Sequence, residues 1–165
     1  MTNNDKTVIK YCKVIIGICF LIVGCAVYLL FRSKTLNIYH WCDMLGFATI
    51  IDRLRLVVQD WHISDFVKYS LPDGLYCAAY ILMMDSIWQK ENGLMKYAVI
   101  FFVPLFTISS EIFQYFGWIK GTFDINDLLC YSIPPLIYIF YNYNSLKFNN
   151  LKIKTLWKSF FGHYR

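Results

Sequence analysis

Charge is what this sequence has least of. Asp, Glu, Lys and Arg make up 16% of its 165 residues, while 58% are hydrophobic. A soluble domain holds roughly 25% charged and 45–50% apolar residues. The apolar excess is gathered into continuous stretches, and the mean hydropathy is +0.43. A single domain of this length cannot bury several all-apolar helices in its own core, so lipid is the simpler solvent.

Other absences narrow the function. The cysteines Cys12, Cys19, Cys25, Cys42, Cys77 and Cys130 show no paired spacing of a metal knuckle or redox motif, and read as free structural thiols. No serine sits in a nucleophile elbow and no glycine-rich phosphate loop is present. His40, His62 and His163 have no metal-site spacing, although His62 could reach an outer pocket. No small-residue cleavage site follows the first apolar run, which therefore reads as a retained anchor. The net charge is +5, but the basic residues flank hydrophobic segments and form no aromatic-interleaved face. Nucleic acid is excluded as a partner on that ground.

Aromatic residues are abundant, with 13 Tyr, 14 Phe and 5 Trp. Many lie near the ends of apolar runs, where half-buried rings suit the headgroup level of a bilayer. Val14 to Phe31 is an uninterrupted apolar run of 18 residues. At about 1.5 Å per residue it nearly spans the hydrocarbon core, and flanking residues complete it. Further spans are expected from about Gly74 to Trp88, from Met95 to Phe116 with Pro104 inside, and from Ile125 to Tyr143. Pro72 should punctuate the chain before the second, and Pro134–Pro135 should kink or end the fourth.

Between Arg32 and Leu71 there are too many charges for lipid. Trp41, Leu45, Phe47, Ile50, Leu54, Leu56, Val57 and Trp61 nevertheless recur every three to four residues. That spacing predicts an amphipathic helix on the membrane surface, or one wide-faced helix packed wholly on protein. The expected fold is an all-α integral membrane bundle of about four transmembrane helices, with an amphipathic helix in the first external loop. Residues 1–13 form an N-terminal segment, 14–146 one transmembrane domain, and 147–165 a basic amphipathic tail.

With four spans, Lys6, Lys10, Lys13, Lys90, Lys96, Lys147, Lys152, Lys154, Lys158 and Arg165 share one side. Arg32, Lys34, Arg53, Arg55, Lys68 and Lys120 lie on the other, a bias of ten to six. The positive-inside rule then puts both termini in the cytoplasm.

A charge in lipid costs about 2.5–3.5 kcal/mol even on mild scales, so polar groups at the membrane edge need a reason. Glu111 and Gln114 are three apart near the end of the third span, flanked by Thr107 and Tyr115. Asp124 and Asp127 are three apart at the opening of the fourth. A short connection makes the two helices antiparallel neighbours, so these groups should meet at one depth, with Asp73 able to join them. Capping explains both aspartates equally well, since Asp124 suits an N-cap and Asp127 a first-turn position. Glu111 lies deeper and calls for a partner. Without a matching Arg, and with Lys120 the only nearby counter-charge, the cluster invites a cation, a protonated carboxylate, or a hydroxyl-rich or cationic ligand. Asp85 lies near the cytoplasmic end of the second span, where it can snorkel or pair with Lys90.

The segment SSEIFQYFGWIKGTFDINDLLCY resembles the signature of VanZ-like membrane proteins, and YSLPDGLYCAAYILMMDSIW resembles a branch in which Pro-Asp-Gly opens a span. The likeness covers roughly Tyr69 to Tyr131, and Glu111, Gln114, Asp124 and Asp127 are the residues it carries over. Members commonly have an Arg in the turn and an Asn plus Gly beyond the second Asp. Here Lys120–Gly121–Thr122 and Leu128–Leu129–Cys130–Tyr131 stand instead. The resemblance implies a bacterial cytoplasmic-membrane protein of the cell envelope, of a family named from a teicoplanin-resistance protein, with no settled reaction.

An enzymatic version makes Glu111 the general acid or base. Asp124 and Asp127 hold a divalent cation or hydroxyls, while Gln114, Asp73, Tyr115, Thr122 and Lys120 contact the ligand. That ligand would be a lipid-linked saccharide, a lipid headgroup or a glycopeptide. The alternatives are a non-catalytic subunit packed on a partner membrane protein, and an ion or proton carrier.

Overall fold

The computed structural model describes residues 3–91 and 93–161, with side chains at 4, 7–91 and 93–143. Six α-helices and no strand occur among them: α1 (Asn3–Phe31), α2 (Asn37–Met44), α3 (Ala48–Val58), α4 (Leu71–Ile87), α5 (Leu94–Tyr115) and α6 (Ile125–Phe161). The all-α expectation holds, and the four predicted apolar segments lie in α1, α4, α5 and α6.

Two of these helices, over Thr7–Phe31 and Leu94–Tyr115, are long and apolar enough to cross a membrane. Only 11% and 17% of their most apolar windows is buried. A soluble core helix hides its apolar side chains, whereas Ile22, Phe102, Phe106 and Phe140 stand well exposed here.

The central helix is the short α4, which packs against α1, α5 and α6. Side-chain contacts run Arg32 to Asp73, Cys25 to Tyr76 and Lys13 to Asp85, so α1 and α4 are antiparallel. Close approach is permitted by two glycines seven apart on one face of α1. A Cβ at Gly24 would lie 2.8 Å from the Tyr76 ring, and one at Gly17 would lie 3.3 Å from the Ala79 carbonyl oxygen. Among the described residues, fully buried hydrophobic side chains are few, chiefly Ala79 and Ile100.

The prolines are accommodated by neighbours. Pro72 sits in the first turn of α4, where a missing N–H costs nothing. A turn of π-helix over Phe66–Ser70 leads straight into that helix, so Pro72 does not interrupt the chain as expected. Pro134 and Pro135 do not end α6, which continues to Phe161. Pro135 deprives the Tyr131 carbonyl of its helical donor. The buried Cys77 thiol donates to that carbonyl at 3.6 Å. Residues 147–161 of the basic tail are therefore a helical continuation of α6; their side chains, and residues 162–165, lie outside those described.

The first loop contains two helices where one was expected. The chain turns at Gly46, whose φ of +79° favours glycine, so α2 and α3 are separate. Trp41, Leu45, Ile50, Val57 and Trp61 remain exposed on this pair. Its attachment to the bundle is polar. Arg55 donates to the carbonyls of Leu29 and Arg32 at 2.7 and 2.5 Å, capping the C-terminus of α1. Asp52 accepts the Tyr39 hydroxyl and pairs with Lys34, each at 2.6 Å.

At the opposite end of the bundle, Asp85 is 4% exposed. The expected pairing with Lys90 does not occur. Lys13 of α1 reaches Asp85 at 2.5 Å, Lys96 of α5 at 2.7 Å, and the Tyr138 hydroxyl of α6 at 2.8 Å. Lys90 belongs to the exposed turn beyond α4. One carboxylate thus ties the other three long helices to α4.

Candidate functional site

The second polar layer lies where α1 and α5 end and α4 and α6 begin. Antiparallel packing brings the C-terminal turns of α1 and α5 beside the N-terminal turns of α4 and α6. Glu111 enters it from the last turns of α5, Asp73 from the first turn of α4, and Asp127 from the first turn of α6. Asp124 immediately precedes α6.

Glu111 is 6% exposed and faces the backbone amide of Asp124. Its Oε2 is buried without a hydrogen-bond partner, and so is Oδ1 of Asp127. The neighbouring hydroxyls cannot serve it. Thr107 donates to the Val103 and Pro104 carbonyls at 3.2 and 3.0 Å, and Ser110 donates to the Thr107 carbonyl at 2.8 Å. An orphaned buried oxygen forfeits about 1–3 kcal/mol of hydration, more for a charged group.

Asp73, Glu111, Asp124 and Asp127 lie close enough to repel one another, and the Tyr131 hydroxyl is set beside Asp73. The counter-charge comes from Arg32, whose place in the sequence marks it only as a topology signal. Arg32, the residue after α1, approaches Asp73 at 3.9 Å, and both side chains are about four-fifths buried. Its guanidinium also donates to the Lys68 carbonyl at 3.3 Å and to that of Tyr69, and lies 4.4 Å over the Tyr28 ring. Lys120, expected as the only nearby cation, is exposed in the α5–α6 turn instead. The surplus of carboxylates over guanidinium leaves the layer negative.

Gln114 lies under the turn that closes the site. Gly121 has φ of +155°, and a Cβ there would lie 2.6 Å from Gln114 Cδ. Only glycine allows the turn to approach so closely. Asp124 shows the capping role as well, for its Oδ1 accepts the Asn126 N–H at 2.8 Å. Tyr115 and Thr122 are exposed, and the Tyr115 ring packs against Phe116 and Phe123. His62 is exposed and lies against the Asp60 carbonyl. Glu111, Asp124, Asp127 and Asp73 therefore converge, while Tyr115, Thr122, Lys120 and His62 stand on the surface.

Among the described residues, no three or more His, Cys, Asp or Glu side chains are arranged so as to hold a metal ion. What the layer offers chemically is acceptor capacity: two bare carboxylate oxygens in a negative, largely dry setting, with a guanidinium at one edge. Such a site has the chemistry to accept hydrogen-bond donors and cations.

Comparison with family models, curated proteins and solved structures yields no match to this chain.

Proposed function

We propose that this chain is a multi-pass protein of the bacterial cytoplasmic membrane, of VanZ-like type, whose outward pocket binds the polar head of an envelope component. The VanZ-like assignment rests on the Glu–Gln and Asp–Asp motif and its spacing. In this reading α1, α4, α5 and α6 all cross the bilayer. The 17 residues of α4 give about 26 Å, close to the hydrocarbon thickness of about 30 Å. Both termini are cytoplasmic, so the Glu111 layer faces outward and the Asp85 layer inward.

The observation that carries the binding role is the orphaned Oε2 of Glu111 at the centre of a negative cluster. A structural carboxylate at such depth finds donors within the fold. The Glu111 carboxylate faces the Asp124 amide, and its remaining bare oxygen is explained by a donor that arrives with a ligand. A lipid headgroup, lipid-linked saccharide or glycopeptide brings ammonium or hydroxyl donors.

The second reading, a non-catalytic subunit packed on a partner, is favoured by the Asp124 cap and by the exposed apolar faces. The change Asp127→Asn separates the two, because Asp127 has a bare oxygen and no capping bond. The binding role expects the purified protein to lose co-purifying envelope molecules at unchanged folded abundance. Unchanged content at unchanged abundance would favour the subunit.

A further inference from the structure

The α1–α3 side of the bundle carries a groove of about 390 Å³, lined by apolar side chains that include Ile22, Ala26 and Leu29 of α1 and Leu54 of α3. It follows one face of α1 from Leu21 to Leu30. At about 1.5 Å per residue that is about 14 Å, the depth of one leaflet of a hydrocarbon core about 30 Å thick.

The outer end of the groove is cationic. Arg55 follows Leu54 directly and caps the α1 carbonyls of Leu29 and Arg32. Arg32 follows Leu30 by two residues and meets Asp73 of the acidic layer. A guanidinium has five N–H donors. Arg32 uses its Nε and Nη2 on backbone carbonyls, which leaves donors spare among the described residues. Asp73 in turn lies within electrostatic reach of Asp127 and Glu111, each of which holds a buried oxygen without a partner.

Read outward from the bilayer, the molecule thus presents an apolar channel, guanidinium and then carboxylate. We propose that this series is one lipid site, built for an aminophospholipid of the phosphatidylethanolamine class. An acyl chain lies along α1 between Ile22 and Leu54, and the phosphate sits on Arg32 with Arg55 at the rim. The primary ammonium donates to Glu111 and Asp127. Guanidinium matches phosphate through paired N–H donors, and an ammonium with three N–H groups can serve both bare oxygens. A quaternary ammonium has no N–H to give them, and a glycerol headgroup brings no positive charge. This inference rests on the pocket binding a polar head, and adds the identity of that head and the seat of its tail.

Native mass spectrometry on the detergent-released full chain tests it, with equal amounts of dioleoyl phosphatidylethanolamine, phosphatidylcholine and phosphatidylglycerol in competition. The wild type should retain phosphatidylethanolamine about tenfold over each of the others. Ala26→Trp, which fills the groove far from the carboxylates, should abolish that preference while leaving binding of soluble O-phosphoethanolamine unchanged. Glu111→Gln should weaken both. Equal retention of the three lipids by the wild type would overturn the inference. Binding of O-phosphoethanolamine without lipid preference would remove the groove and leave the pocket. Failure of the wild type to bind either would remove the pocket reading as well.

Discussion

Arg32, the first residue beyond α1, faces Asp73 in the first turn of α4 at 3.9 Å, and joins the end of the longest apolar run to the acidic layer. The contact sets one positive charge against the acidic layer. Because Arg32 also holds the Lys68 and Tyr69 carbonyls, Arg32→Gln should destabilise the fold more than Asp73→Asn. A double-mutant cycle in detergent should give a coupling of about 1–2 kcal/mol. Additivity of the two changes would show that the pair does not act as a unit.

The Asp85 node predicts a sharper loss. Asp85→Leu leaves the ammonium groups of Lys13 and Lys96 without their carboxylate, and should cost about 3–5 kcal/mol. Tyr138→Phe removes one bond to the same carboxylate and should cost about 1.5–3 kcal/mol. Lys90→Gln should change stability by less than about 0.5 kcal/mol, as for an ordinary surface site. Thermal unfolding of the three purified variants checks the ranking, and a loss at Lys90 equal to that at Asp85 would refute it.

Gly121 is the tightest point of the outer turn. Gly121→Ala places a methyl group 2.6 Å from Gln114 Cδ at a φ that L-residues rarely adopt. Its expected cost is about 1–3 kcal/mol of backbone strain. Gly93 has nothing within 4 Å of its Cβ position and an ordinary φ, so Gly93→Ala should cost only the loss of a favoured N-cap residue, about 0.5–1 kcal/mol. Folded yield after mild heating distinguishes the two.

The α2–α3 pair should respond to pH through Lys34, Tyr39 and Asp52. Hydrogen bonds from Lys34 and Tyr39 hold the Asp52 carboxyl below its ordinary value, and the Asp52 hydrogen bond holds Lys34 above its own. A depressed carboxyl stabilises above its unfolded pKa of about 3.9 and loses that contribution as pH falls through the folded value. A raised ammonium stabilises below about 10.4 and loses its contribution as pH rises through the folded value. Hydrogen exchange over 37–58 should therefore be flat between about pH 5 and pH 9 after correction for intrinsic rates, and protection should fall in acid. Asp52→Asn should remove the acid step.

Much of this fold could be read in the sequence because its long helices hold uniform apolar runs. The convergence of Glu111 with Asp124 and Asp127 was also legible, since a short turn between helices fixes their register. Contacts between distant segments were not. Charge pattern alone reads Arg32 as a topology signal and Asp85 as a group that snorkels or pairs with Lys90, whereas their partners come from distant segments. One signal was there to find: Gly17 and Gly24, seven apart on an otherwise bulky helix, mark the face on which α4 packs. With that face known, Lys13 falls beside Asp85 and Arg32 beside Asp73. Gly46 likewise marked the break between α2 and α3, which apolar periodicity alone runs across.

The account stands on the bare oxygen of Glu111 as an acceptor for a ligand's donor. Mass-spectrometric inventories of small molecules and lipids, taken from equal amounts of folded wild type and Glu111→Gln in one detergent, test this most directly. The account predicts at least one amine- or hydroxyl-bearing species held by the wild type and depleted several-fold in the variant. Identical inventories would contradict it.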